Sequence, residues 1–229
     1  MARTRAATFD LQRDAMLATA ARLFAQRGYP AASIAALASA CGVSKALLYH
    51  YYRDKEQLLF DIADRYLDRL LALIEEVRAR PAPPEQRLRD LIESFLLAYE
   101  HAGAFHRVLV QDVKYLRPAH RNRVRAKQRR VVDAFAQAIA AAAPPLAAST
   151  MLKPVTMTLF GMMNWTFTWR RPDGPVSQPE LARMIARLFI GGVRGLTGAA
   201  RGGRNGAAGI ASNATDSPRR RLPLEQEET

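Results

Sequence analysis

Along this chain, apolar side chains recur every three or four residues, and glycine and proline cut the rhythm at helix-sized intervals. Met16, Leu17, Ala20, Leu23 and Phe24 set the pattern, and Leu58, Leu59, Ile62, Ala63, Tyr66, Leu70 and Leu73 repeat it. Side chains at that spacing share one face of an α-helix, so each run predicts a helix with one buried side. Between residues 10 and 197 no run alternates with period two ahead of a hairpin turn, and no strand is expected. The expected fold class is all-α, with about nine helices.

Local punctuation places the elements. A first helix over 10–27 stops at Gly28, the usual position for glycine just past a helix end. Ser33, Ser44 and Asp54 each precede an apolar run and read as N-caps of the second, third and fourth helices. The fourth ends at the PAPP of 81–84, and helices over 85–101 and 105–113 follow, with a break at Gly103. A basic helix extends to about 143, where Pro144-Pro145 closes it, and two more cover 149–169 and 178–196. Residues 199–229 are Gly/Ala/Arg-rich, then polar, then acidic, with few large apolar residues, and a disordered tail is expected there. The expected organisation is therefore a small unit at 1–55 with an N-terminal arm at 1–9, a larger helical unit at 56–198, and the tail.

Charge narrows the partners. Lys and Arg total 34 against 21 Asp and Glu, a formal net charge of +13, which suits a polyanion such as nucleic acid or an anionic membrane surface. An Ala/Arg-rich composition in general is the alternative source of that excess. No stretch of about 18 apolar residues occurs, so no membrane span or membrane partner is expected. The N-terminus lacks the apolar stretch of a secretory signal, and the single Cys41 fits a reducing compartment, so the cytoplasm is expected. The four histidines are scattered, and neither a Walker loop nor a Gly-x-Ser-x-Gly elbow is present. No catalytic residue, metal site or cofactor is expected, and the chain does not read as an enzyme.

The most informative stretch is CGVSKALLYHYYRDKE, residues 41–56. Gly42 suits a tight turn between two short helices, the pattern of a helix-turn-helix. Phase then divides the third helix. Leu48 and Tyr52 fall on the side facing the first helix, while Lys45 with Tyr49 and Ala46 with His50 fall on the opposite side. A basic, aromatic outer face with a small residue for close approach is what a recognition helix in a major groove requires. Ser44 adds free N–H groups at the helix start, where a phosphate is favoured, and Lys55 stands nearby for the same task. A helical corner carrying these residues without a partner remains the plainer reading.

The segment from Leu17 to Leu59, with the GY after the first helix, Ser33-Ile34, Gly42-Val43-Ser44, Leu48-Tyr49 and Lys55-Glu56, resembles the N-terminal domain of TetR-type transcriptional regulators. The resemblance implies phosphate contacts from Ser33, Ser44, Tyr49 and Lys55, and base-edge or flanking contacts from Lys45, Ala46, Leu47 and His50. It implies a homodimer on double-stranded operator DNA, with the last two long helices forming the interface, and a small-molecule effector bound in the C-terminal part. It also places Tyr52 in the core and makes Cys41 a small packed residue.

Further along, LFGMMNWTFTWRRPDGPVS and the closing LFIGGVRGL resemble TetR-type regulators that sense acyl-CoA thioesters in fatty-acid, steroid-ring and phenylacetate breakdown. Phe105, Val108, Met162, Met163, Trp165 and Phe167 are the candidates to line an apolar pocket, set against the plainer reading as core. Eight cations from Lys114 to Arg130, with no acid among them, repel one another and suggest an anionic partner such as a CoA moiety. The function expected is a repressor released from its operator by a metabolite. Competing expectations are a nonspecific architectural DNA binder and a regulator of an uncharged or carboxylate effector.

Overall fold

Each expected cap forms. Ser33 Oγ accepts from the Ala36 N–H at 3.1 Å, Ser44 Oγ from Leu47 at 3.1 Å, and Asp54 Oδ1 from Gln57 at 2.9 Å. Gly28 (φ 78°) and Gly42 (φ 65°) adopt the left-handed conformation that side chains resist, ending α1 (Ala2–Arg27) and turning the chain between α2 (Ile34–Ala40) and α3 (Lys45–Tyr51). The structure is a computed structural model that describes residues 2–171 and 173–202, with side chains for 9–171 and 173–197.

The remaining helices are α4 (Lys55–Ala79), α5 (Pro84–His101), α6 (Gly103–Gln111), α7 (Pro118–Ala142), α8 (Leu152–Asn164), α9 (Thr166–Trp169) and α10 (Gln178–Gly202). Single 3-10 turns at Val113–Tyr115 and Pro144–Leu146 flank α7. Pro84 and Pro118 stand in first turns, where the missing N–H is not needed. No strand occurs among the described residues.

Three boundaries differ from expectation. Helix α1 begins at Ala2, so positions 2–9, expected as an arm, continue the helix, and Met1 lies outside the described residues. The expected tail overlaps the end of α10, and 203–229 lie outside the described residues. The helix expected over 149–169 is two, α8 and α9, broken at Trp165. There the Thr166 hydroxyl bonds the Met163 carbonyl at 2.7 Å and the Thr168 hydroxyl bonds that of Trp165 at 2.6 Å. Such side chains compete with the backbone ladder and bend or end helices.

Packing is organised around α4, which contacts α1, α5, α6 and α7. One apolar cluster runs from Met16 in α1 to Val193 in α10, with Phe24, Tyr52, Tyr66, Phe95 and Phe135 among its largest fully buried side chains. Cys41 is a half-buried packing residue whose thiol pKa is raised by burial, away from thiolate reactivity.

Part of the charge on the basic helix is balanced within the fold. Helix α4 and its N-cap Asp54 supply counterions to three of the eight cations: Arg117 pairs with Asp54 and, at 3.4 Å, with Glu56; Arg123 pairs with Asp64 at 3.1 Å; Lys127 lies 2.6 Å from Asp64 and 2.7 Å from Asp68. These pairs lock α7 onto α4. Lys114, Arg121, Arg125, Arg129 and Arg130 have no ion pair among the described residues, and Arg125 and Arg129 border a groove described below.

Candidate nucleic-acid interface and effector cavity

The third helix divides as phase predicts. Leu48 and Tyr52 are 1% exposed, and Tyr52 directs its hydroxyl at the Arg13 carbonyl (3.4 Å). Burial raises the Tyr52 phenol to about 12, so it stays protonated at neutral pH. Lys45, Ala46, Tyr49 and His50 are exposed together on the far side, Tyr49 at 52%. Ser33 and Ser44 are exposed beside them, each with its oxygen committed as a cap acceptor and its hydroxyl proton free to donate.

Two expected contact residues sit differently. Leu47 is half-buried against the core, so only part of it reaches outward. Lys55 turns back on the protein: its ammonium bonds the Tyr29 carbonyl at 2.9 Å and the Pro30 carbonyl at 3.4 Å, and lies 4.2 Å from the Tyr29 ring centroid. Burial lowers its pKa. Of three ammonium donors, one is left for any phosphate. Lys55 thus secures the α1–α2 turn first.

Sequence reasoning left Tyr51 unassigned and missed Arg53. Tyr51 bonds Gln12 Oε1 through its hydroxyl (2.8 Å) and stacks on Phe9 with ring centroids 4.4 Å apart, clamping the start of α1 to α3. Arg53 projects an exposed guanidinium just past α3, and its position next to the YHYY run is the signal that could have found it.

At the other end, α4, α5, α6, α7 and α8 line a half-open cavity of about 270 Å³. Its walls include Leu67, Tyr99, His106, Leu109, Val131 and Phe160. Gln128, Val132 and Met157 also line a wider groove of about 810 Å³ between α7 and α8, whose walls carry Arg125, Arg129 and Lys153 with one acid, Asp133. An apolar chamber therefore adjoins a basic vestibule through shared walls.

None of the six residues expected to line a pocket borders this chamber. Val108 and Met163 are fully buried core, and Phe105 and Phe167 are half-buried. Met162 faces a different hollow, of about 410 Å³, between α8 and α10, and Trp165 is 67% exposed. Phe105, Val108, Met162 and Met163 lie on α6 and α8, which line the chamber, but at other positions around those helices. His106, Leu109 and Asn164 stand one residue beyond Phe105, Val108 and Met163, and one residue is about 100° of helix rotation.

The two ends meet at the start of α4. Glu56, buried, accepts from the Arg117 N–H at 2.9 Å and lies 3.0 Å from His120 Nδ1. Burial raises the Asp54 pKa, but the Gln57 N–H and the Arg117 guanidinium outweigh it and hold the carboxyl below its ordinary value. Tyr29 stacks on Tyr115 at 5.4 Å. Residues directly after α6 thus grip the turn before α2 and the start of α4, and α6 itself carries His106, Leu109 and Val110 of the chamber.

Comparison with known proteins agrees with this arrangement. Residues 16–62 match the family described as bacterial regulatory proteins, tetR family, and residues 81–193 match a tetracyclin repressor-like C-terminal domain. A TetR-family regulator from Bordetella parapertussis 12822 superimposes with a TM-score of 0.75 at 35% identity, covering 77% of this chain and 93% of that one. AibR, solved with isovaleryl coenzyme A and operator DNA, gives 0.71 at 27% identity over 78% and 98% of the two chains. The transcriptional repressor KstR2 of Mycobacterium tuberculosis is 27% identical over 80% of this chain and 92% of its own. No helix among the described residues is long and apolar enough to cross a membrane. With its helix-turn-helix, its all-helical C-terminal part and these relatives, the chain belongs to the TetR family of DNA-binding transcriptional regulators.

Proposed function

We propose that this regulator is a homodimeric repressor that leaves its operator when an acyl-CoA thioester occupies the chamber and its vestibule. The observation that carries the effector class is the contiguity of an apolar cavity with a groove bearing Arg125, Arg129 and Lys153. An acyl group suits the first, and the phosphates of a CoA moiety suit the cations of the second. The AibR complex with isovaleryl coenzyme A supports the same class.

In this reading Ser33, Ser44 and Tyr49 hold phosphates, Lys45, Ala46 and His50 face base edges, and Leu47 and Lys55 contribute through their exposed parts. Residues 1–55 act as the reading unit and 56–198 as the effector and dimer unit. The partner copy covers the outer face of α8 and α10, where Met151, Leu188 and Leu196 are exposed around the second hollow, Met184 is exposed on α10, and Gly192 leaves room for close approach. Two copies place recognition helices in successive major grooves, about 34 Å apart. Ligand repositions α6, the Val113–Tyr115 turn follows, and the grip of Tyr115 and Arg117 on Tyr29, Asp54 and Glu56 shifts the population away from the DNA-competent dimer.

The test is titration calorimetry of matched free acids, CoA and CoA thioesters, with DNA anisotropy on operator and scrambled duplexes alongside. Thioesters should bind tighter than either part and release operator DNA, and Arg125→Ala with Arg129→Ala should remove the advantage over the free acid. Equal binding of acids and thioesters would sink the CoA reading. Equal affinity for both duplexes would make the protein a nonspecific binder.

A further inference from the structure

The inner chamber holds polar atoms that its packing does not use. His106 is 3% exposed, stacks on Tyr99 with ring centroids 3.7 Å apart, and meets Tyr66 and Phe167 edge-on at 6.1 Å and 5.9 Å. Neither of its ring nitrogens has a protein partner. Asn164, at the end of α8, also lines the chamber and has a buried Oδ1 without a partner, and the buried Tyr66 hydroxyl, on a ring packed against His106, is in the same condition. A phenylalanine would stack on Tyr99 equally well and would bury nothing polar. Buried polar groups are ordinarily hydrogen-bonded, so several around one cavity call for a reason.

Burial lowers the His106 pKa to about 4, so at neutral pH the ring carries one N–H donor and one acceptor nitrogen and no charge. No lysine, arginine, aspartate or glutamate lines the chamber; its cations stand outside, in the vestibule. A charged ligand group would be buried there without a counterion, and a plain hydrocarbon would leave the buried polar atoms of His106 and Asn164 unbonded.

We propose that His106 and Asn164 form a specificity site for a ligand whose buried part carries an uncharged hydroxyl or carbonyl, so that an oxygenated acyl group is selected over a hydrocarbon of the same skeleton. The inference rests on the reading of this chamber as the effector site. The volume of about 270 Å³ sets the scale, since one water takes roughly 30 Å³ of the liquid. A medium-length hydroxyacyl or oxoacyl chain, or a single hydroxylated ring, is the class that fits. Sites built to bond a ligand hydroxyl reject the analogue lacking it far more strongly than apolar pockets reject an extra methylene.

The experiment pairs ligands by skeleton: hexanoyl-CoA with its 3-hydroxy and 3-oxo forms, benzoyl-CoA with 4-hydroxybenzoyl-CoA, and, free of CoA, benzene with phenol. Binding is measured by calorimetry and thermal shift on the full chain, on His106→Phe and on Asn164→Leu. In the wild type the preferred oxygenated thioester should bind at least tenfold tighter than its hydrocarbon partner, and phenol should stabilise the protein more than benzene. His106→Phe should abolish that preference, with an apo melting temperature no lower than wild type. Asn164→Leu should shrink the preference and serves as the readout should His106→Phe fail to fold.

Thioester binding without any preference overturns the inference and leaves the CoA reading standing. Loss of oxygenated and hydrocarbon thioesters alike in His106→Phe also overturns it, because the histidine would then be bonding the thioester carbonyl that all share. A phenol preference with no thioester binding supports the inference and overturns the CoA reading. Failure of every probe to bind overturns both.

Discussion

The reading end and the sensing end of this protein spend their polar groups in opposite ways. At α2 and α3 the groups that would touch DNA are exposed, and the ones needed for structure, Ser33 Oγ, Ser44 Oγ and the Tyr52 hydroxyl, are already bonded at home. In the chamber the groups that would touch a ligand are buried and unbonded, with His106 and Asn164 the clearest cases. A surface that meets a solvated polyanion can keep its donors in water until contact. A cavity that must tell one small molecule from another has to hold its donors dry beforehand, at a cost in stability. The reading end should therefore tolerate changes to its functional face, while the sensing end should gain stability when its functional groups are removed.

The sharpest way to break that comparison lies within α3. Tyr52→Ala removes a fully buried ring and should cost about 3–5 kcal/mol in denaturant unfolding, taking DNA binding with it. Tyr49→Phe, on the exposed face of the same helix, should leave unfolding within about 0.5 kcal/mol and weaken DNA binding by about 1 kcal/mol on any sequence. A stability loss for Tyr49→Phe matching that for Tyr52→Ala would show that the helix has no free face.

Next in size is a pH effect at the other end. Unfolded, His106 titrates near 6.5; folded, burial holds it near 4. Between those values the unfolded chain binds the extra proton, so the contribution is fully present above pH 6.5 and is lost as pH falls toward 4. At 1.36 kcal/mol per pH unit the loss is on the order of 3 kcal/mol, and the difference between wild type and His106→Phe isolates it from the carboxylates. Parallel stability profiles for the two proteins over this range would mean the ring is charged, or solvated, in the folded state.

How much of each end was legible follows from distance along the chain. The caps at Ser33, Ser44 and Asp54, the turns at Gly28 and Gly42, and the two faces of α3 are decided within four residues, and all are present in the structure. Tyr51 was not assignable because its partners, Phe9 and Gln12, sit about forty residues upstream. The acids neutralising Arg117, Arg123 and Lys127 lie about sixty residues away on α4, so no local pattern tells these three cations from Arg125 and Arg129, which stay unpaired among the described residues. In the chamber the lining comes from five helices, and a one-residue slip in phase exchanges Phe105 for His106 and Met163 for Asn164. Periodicity fixes which side of a helix is buried but not which part of that side faces a gap, and a wide apolar stripe hides the difference.

The smallest effect concerns the joint between the two ends. Glu56 is isosteric with glutamine, and Glu56→Gln keeps an acceptor for the Arg117 N–H while removing the charge that holds the Arg117 guanidinium and faces His120. If the turn after α6 transmits ligand occupancy through this carboxylate, the variant should bind operator DNA nearly as tightly as wild type without ligand. It should also bind the effector with similar affinity. What should fall is the ratio of DNA dissociation constants with and without effector, by about 1 kcal/mol or roughly fivefold, within the usual range of such couplings. Coupling is a difference between two states, so a residue that serves only to pack α7 on α4 would lower stability and leave that ratio alone. Measuring the ratio by DNA anisotropy at saturating effector separates the two roles, because stability and coupling are read independently on the same variant.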